Sequence, residues 1–346
     1  MASRDRIELI QKNLSQGTIS ANELLEKLEK QGIEISKITL NRDLKSLESE
    51  GLITREGESK ATKYKLSNKY KLLRKIDFQD YFSVDSDDRK VQEEFNFEIF
   101  PDLLNLFSKE EKMKMDKLNA EYQFSFQTSS QARLKKELER FVIDLSWKSS
   151  KLEGNTYTLL ETEKLIKEEE ESKGHDHDEA TMILNHKKAL DYVLQHKESF
   201  KEISVKKILK IHSLLVKDLG IVEGLREKKV GIIGTKYKPL KVTGEIKKAL
   251  EKLCEIINQE EYPLAKALLA VAMMSYIQTF EDGNKRTARI LSTAILLAYD
   301  YCPLSYRNVD DYDYKKSVLL FYEQNNIYHL KHLFMDQFEF SVGEYF

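Results

Sequence analysis

The residues Gln278-Thr279-Phe280-Glu281-Asp282-Gly283-Asn284-Lys285-Arg286-Thr287-Ala288-Arg289 stand between two apolar stretches and carry the types an anion site needs. Leu264 to Ile277 is rich in Ala, Leu and Met without Gly or Pro, which predicts a buried helix. Arg286 to Tyr299 is apolar again, and Asp282-Gly283-Asn284 is turn chemistry that opens a helix N-terminus. The amides of Gly283, Asn284 and Lys285 would stand unpaired there and, with the positive end of the helix dipole, form an anion cradle. Arg286 and Arg289, three apart in the first turn, project from one face above the same anion, a spacing suited to a polyphosphate. Asp282 beside an anion is electrostatically out of place unless a divalent cation such as magnesium bridges it to the phosphates. Taken alone, the same residues equally make a capped helix start with a solvated basic turn.

The stretch resembles the signature of the Fic-domain nucleotidyltransferases, HxFx(D/E)GN(G/K)RxxR, at Phe280, Asp282, Gly283, Asn284, Lys285, Arg286 and Arg289. The resemblance implies AMP transfer from ATP to a Ser, Thr or Tyr hydroxyl of a protein. Asp282 would hold magnesium, Gly283, Asn284 and Lys285 would cradle phosphate, and Arg286 and Arg289 would grip the terminal phosphates. The first position departs from it: Gln278 stands where the family carries the histidine that takes the hydroxyl proton. A carboxamide has no basic lone pair near neutral pH, and loss of a general base typically removes a factor of roughly 100 to 10,000 in rate.

Two more stretches follow the same family's order. Ser149-Ser150-Lys151-Leu152-Glu153-Gly154 resembles the inhibitory motif (S/T)xxxE(G/N), with Ser149, Glu153 and Gly154 in place. The implied role of Glu153 is to pair with Arg289 and occupy the place of the γ-phosphate; read alone, Glu153-Gly154 is a helix C-terminus. Val230 to Tyr237, including Gly231, Ile232, Ile233, Gly234 and Thr235, reads as a hairpin and resembles the family's flap, which pairs with an extended segment of a target protein. Its spacing is not that of a P-loop. His175 and His177 read as an exposed polar loop, and His186, His196, His212, His329 and His332 as ordinary helix residues.

The chain has 346 residues, 41% apolar and 33% charged at net −2, with four prolines, thirteen glycines and two cysteines. That composition predicts two or more units in an α-rich fold with no overall pull toward nucleic acid or membrane. The absence of a long apolar run or leader predicts a cytoplasmic location, and Cys254 and Cys302, without metal-type spacing, read as reduced core residues. Residues 1–75 carry 16 Lys and Arg against 11 Asp and Glu. Ile7, Leu9 and Ile10 suggest a first helix; Ser20 caps a second through Leu28, Ser36 a third through Leu47, and two alternating segments follow around Glu56-Gly57-Glu58. That order is a winged helix-turn-helix and resembles bacterial repressors of that class. Lys37, Thr39, Asn41, Arg42 and Lys45 suit a DNA major groove, although docking or dimerisation fits the same surface.

The sequence thus predicts a mainly α protein: a winged helix-turn-helix domain (1–75), a connector without evident chemistry (76–130) and an all-α Fic domain with a β-hairpin flap (131–346). Within the last lie an inhibitory helix (about 140–155), the flap (about 226–239) and the signature loop (278–289). ATP and magnesium are the expected ligands, a target protein, DNA and a second copy the candidate partners. An ATP-binding pseudoenzyme controlling DNA binding, AMP removal and transfer of another phosphoryl group stay open.

Overall fold

The computed structural model describes residues 3–58 and 61–345 and divides into two compact units: residues 1–75 with 106–112, and 76–105 with 113–346.

In the first unit, α1 (Ser3–Leu14), β1 (Ile19–Ser20), α2 (Ala21–Lys30), α3 (Lys37–Ser49), β2 (Ile53–Glu56), β3 (Lys63–Leu66) and α4 (Tyr70–Leu73) follow in that order. The Ser20 hydroxyl accepts from the Glu23 amide while the Glu23 carboxylate accepts from the Ser20 amide, a reciprocal cap that starts α2. Ser36 caps α3 by accepting from the Thr39 amide. Ile10, Leu14, Leu24, Leu28, Leu40, Leu44 and Leu47 close a core between the helices. Asp43 is buried on α3 and is forked by Arg6 at 2.6 and 3.1 Å. The sheet has the order β1-β3-β2, antiparallel, with Ile53 opposite Leu66 and Glu56 opposite Lys63. The sequence reading anticipated two of these strands; β1 is two residues long, too short to leave a periodic pattern.

The second unit contains α5 (Phe78–Ser83), a 3-10 turn (Phe97–Leu103), α6 (Lys109–Thr128) from Met113 onward, α7 (Gln131–Lys151), α8 (Leu159–Glu168), α9 (His177–Gln195) and α10 (Val205–Leu215). It is completed by α11 (Thr243–Gln259), α12 (Pro263–Ile277), α13 (Asn284–Ala298), α14 (Asp311–Gln324) and α15 (Tyr328–Tyr345). Every residue of α12 from Leu264 to Ile277 is buried, and α13 is nearly as enclosed, so this helix pair is the centre of the unit. Helices α11, α14 and α15 pack against α12, whereas α7, α9 and α10 pack against α13. A helix apolar on all sides must be covered on all sides, and the amphipathic helices around it supply the cover.

Residues 226–239 make a turn at Ile233-Gly234, with Gly234 at φ +83°, but no strand ladder joins its two arms. The outgoing arm instead pairs with the connector through a single parallel bridge between Lys238 and Glu94. Cys254 and Cys302 are both free and buried. Among the described residues no helix is long and apolar enough to cross a membrane.

Candidate active site

Helix α12 stops at Gln278, which adopts the left-handed conformation at φ +52°. Five residues later Gly283, at φ +78°, opens α13. A Cβ at Gly283 would lie 3.2 Å from Val216 Cγ1, so its φ favours glycine and any side chain would crowd Val216. Between these ends the Asn284 side chain staples the loop: Oδ1 accepts from the Phe280 amide at 2.8 Å, and Nδ2 donates to Phe280 O at 2.8 Å and to Gln278 Oε1 at 3.2 Å. The structure thus adds a structural duty for Asn284 to the expected amide.

The cradle has a specific electrostatic state. Gly283 N–H, expected to be unpaired, donates to Asp282 Oδ1 at 2.5 Å, while the amides of Asn284 and Lys285 have no acceptor among the described hydrogen bonds. Asp282 Oδ2 accepts from Arg286 Nη2 at 2.8 Å, and the Asp282 side chain is well exposed. Arg286 is 1% exposed, yet its Nε and Nη1 have no partner. Buried guanidinium donors without acceptors favour the arrival of an anion.

Glu153 lies in the turn after α7, with Gly154 at φ +101°. Its carboxylate is divided between two cations: Oε1 is 2.8 Å from Arg289 Nη2 and Oε2 is 2.5 Å from Lys285 Nζ. Burial pushes this carboxyl up, but Arg289 and Lys285 outweigh it and hold the pKa at about 2. Arg289 is fully enclosed and further fixed by Ser149, through Oγ at 2.8 Å and the carbonyl at 2.9 Å, and by Tyr314 Oη at 3.4 Å. The turn is moored by Asn155, whose Nδ2 donates to Glu179 O at 2.8 Å, and by the Thr156 amide, which donates to Glu179 Oε1 at 2.6 Å. Ser149, Glu153, Lys285 and Arg289, remote in sequence, are therefore in one cluster.

Gln278 is bonded at both ends of its amide: Nε2 donates to Ser275 O at 2.6 Å and stands 3.5 Å from Tyr322 Oη, while Oε1 accepts from Asn284. Among the described residues no histidine hydrogen-bonds Gln278. The Tyr322 phenol is driven far above its usual range by burial. His212, read from sequence as an ordinary helix residue, in fact lies against this loop. Its ring stacks on Phe280 at 3.6 Å and its Nε2 donates to Asp282 O at 3.1 Å. Burial, with Arg286 adding to it, lowers its pKa to about 4, so it is neutral at pH 7 and acts as a prop. His186 is also fully buried, near Arg286 and Arg289, and its pKa is lowered well below normal by burial first and by those cations next. His175 is likewise not an exposed loop residue: it packs on Tyr157 and meets Thr156 Oγ1 at 2.8 Å and Glu161 at 3.2 Å. Among the described residues no group of three or more His, Cys, Asp or Glu side chains could hold a metal by itself.

Sequence reasoning also missed Arg226. Only 2% exposed, it joins the base of the flap to the signature loop: its amide donates to Thr279 O at 3.1 Å, Nε to Gln278 O at 2.6 Å and Nη1 to Lys228 O at 2.9 Å. A lone arginine in a Gly-Leu-Arg stretch gives no sign of that reach. Of the expected flap residues, Gly231, Ile233 and Gly234 are exposed, Ile232 and Thr235 half-buried. In the first unit, Lys37, Asn41, Arg42 and Lys45 are exposed on α3. The Thr39 hydroxyl, by contrast, faces the Ser36 cap at 2.9 Å, and Ile38, 83% exposed, takes a place on that surface that the sequence reading had not assigned.

Comparison with known proteins bears on the second unit. Residues 202–296 match the Fic/DOC family. The chain is 27% identical over 158 residues to "Protein adenylyltransferase Fic" of Drosophila grimshawi, covering 44% of this chain and 32% of that protein. It is 27% identical over 189 residues to the protein of the same name from Nematostella vectensis, covering 52% and 43%. It therefore spans less than half the length of these relatives. Among solved structures, Fic-1 from C. elegans aligns with a TM-score of 0.57 at 18% identity, over 68% of this chain and 70% of that one. A Fic domain containing signaling protein from Bacteroides thetaiotaomicron aligns with a TM-score of 0.56 at 21% identity, over 66% and 94%. The stretch similar to the Fic/DOC family thus contains α12, the loop and nearly all of α13.

Proposed function

We propose that the chain is a restrained protein adenylyltransferase whose proton acceptor is missing. The observation that carries the reading is the Glu153 carboxylate seated on Arg289 and Lys285, while Arg286 keeps two buried donors without an acceptor. These three cations converge at the start of α13, where the family resemblance expects triphosphate, and the relatives bear the name adenylyltransferase. In this reading the acceptor hydroxyl attacks the α-phosphorus of ATP, the new P–O bond forms as the bond to pyrophosphate breaks, and the proton must leave the hydroxyl. Gln278 orders the loop but accepts no proton, so turnover is slow. Positioning and charge stabilisation by Arg286, Arg289 and Lys285 supply what remains. Asp282 fits a magnesium ion, being exposed and retaining free lone pairs; a bound ion would supply neutralisation of phosphate charge. Glu153 holds the fork of Arg289 that a γ-phosphate needs, and Ser149 and Gly154 fix its place.

The engaged amide of Gln278 also favours a second reading, a nucleotide-binding protein without transferase activity. In the first unit, the order α1-β1-α2-α3-β2-β3 and the exposed Lys37, Asn41, Arg42 and Lys45 support a winged helix that binds DNA. Labelling with α-32P-ATP and magnesium separates the two readings, using the natural chain, Gln278→His, Glu153→Gly and the double variant. The transferase reading expects protein label once His is present, and more when Glu153 is also removed. A double variant that binds ATP but stays unlabelled overturns it in favour of the nucleotide sensor.

A further inference from the structure

The connector, in which the sequence displays no chemistry, carries a buried charge network that ends on the flap. Arg89 is 7% exposed and Glu323, at the end of α14, is 1% exposed. The guanidinium forks the carboxylate, Nε to Oε2 at 3.0 Å and Nη2 to Oε1 at 2.9 Å. Tyr81 Oη donates to the same Glu323 Oε2 at 2.7 Å. Two further donors of Arg89 go to backbone: Nη1 to Val84 O at 3.1 Å, and Nη2 to Gly234 O, the turn of the flap, at 2.6 Å. Its planar face lies 5.2 Å from the Phe82 ring centre. Four of the five N–H donors of the guanidinium are thus in use, and one is spent on a loop beside the active site.

The rest of the outgoing arm is tied to the same connector. Lys236 Nζ donates to Asp87 O at 2.8 Å, the Lys238 amide to Glu93 O at 2.7 Å, and Lys238 Nζ to Glu93 Oε2 at 2.6 Å. At the other end Arg226 fixes the incoming arm to the signature loop through Lys228 O. Between these moorings the backbone of residues 229–233 makes no hydrogen bond among the described residues, and Ile233 is 96% exposed. A short run of unpaired backbone held at both ends is a preformed edge for one extended strand of another chain. Its register is set by whatever fixes the turn.

The geometry points to Arg89 as a positioning residue for the protein acceptor: by holding the Gly234 carbonyl against the Glu323 pair it fixes the turn from which residues 229–233 present their edge. This rests on the transferase reading for its consequence, not for its geometry. It separates two kinds of acceptor. Water reaching the α-phosphorus needs no strand register, whereas a protein hydroxyl does.

The test uses the full chain. Arg89→Lys keeps the charge but loses the fork, and the double change Arg89→Met with Glu323→Gln removes both charges, so that neither is left buried alone. In the natural background, limited trypsin digestion should cut at Lys236 about 10-fold faster in both variants, with ATP affinity within about twofold of the parent. In the Gln278→His, Glu153→Gly background, label on protein should fall about 10-fold or more while AMP released by water attack stays within about twofold. Unchanged trypsin cleavage overturns the inference whether or not any labelling is seen. Equal losses of protein label and AMP also overturn it, since they mark general disruption. A parent that binds ATP but yields neither product defeats the transferase reading alone, and the trypsin result then decides the role of Arg89.

Discussion

Replacing Glu153 by glutamine keeps the shape of the side chain and removes its charge. The cost of that charge to an incoming phosphate can be worked from the site. Burial alone would raise the Glu153 pKa above 4.5, yet Arg289 and Lys285 bring it to about 2. The net fall from 4.5 to about 2 corresponds to about 3 kcal/mol, the excess of the attraction to the two cations over the cost of burial. The Glu153 side chain is 13% exposed and that of Lys285 35%, so solvent screens part of it, and about 2 kcal/mol is the portion expected to oppose binding. Glu153→Gln should therefore bind ATP with magnesium about 10- to 100-fold more tightly by titration calorimetry. The sign of the pH dependence follows from the depressed pKa. The pairing is complete above the unfolded value near 4.5 and is lost only as pH falls through about 2. The advantage of the variant should thus be constant from about pH 6 to about pH 9. Unchanged or weaker binding, or an advantage that vanishes within that range, refutes the competition argument. Without nucleotide the variant should melt lower, because Arg289 keeps Ser149 and Tyr314 but loses its counter-charge.

Three further outcomes follow from the surrounding geometry. Gly283→Ala forces a side chain into a left-handed position 3.2 Å from Val216 Cγ1; urea denaturation should register a loss of about 1–3 kcal/mol, together with weaker ATP binding. His212 is held neutral with a pKa of about 4 and His186 is shifted in the same direction, so the unfolded chain takes up protons first as pH falls below about 6.5. Stability should fall by about 1–3 kcal/mol between about pH 7.5 and about pH 5.5, and His212→Gln should reduce that slope. On α3, Lys45→Ala should weaken binding to duplex DNA in fluorescence anisotropy and lower the salt slope by about 1, whereas Arg42→Ala should also relax sequence preference. No effect of either change would leave the first unit to a role in docking.

The parts of this protein that depend on neighbours along the chain are legible in the sequence. Ser20 and Ser36 cap the helices they precede, and the uninterrupted apolar run 264–277 is the central helix. Asp282-Gly283-Asn284 is the turn that opens α13, because the left-handed φ at Gly283 is a local demand. The fixed order of residues 278–289 likewise places Arg286 and Arg289 in one turn whatever surrounds them. What tertiary structure alone decides is which distant groups meet those residues. It leaves the two arms at 230–237 without a ladder between them and ties the outgoing arm to the connector at Gly234 and Lys238. It brings Arg89 onto Gly234 from 145 residues away and Arg226 onto Gln278 from 52. It lays His212 beneath Phe280, and it divides one carboxylate between Lys285 and Arg289, a pairing that resemblance implied for only one of them. The physical reason is that periodicity and capping act over a few residues. A buried charge, by contrast, is satisfied by whatever group packing delivers within hydrogen-bonding distance, and that group carries no mark of its destination in the sequence.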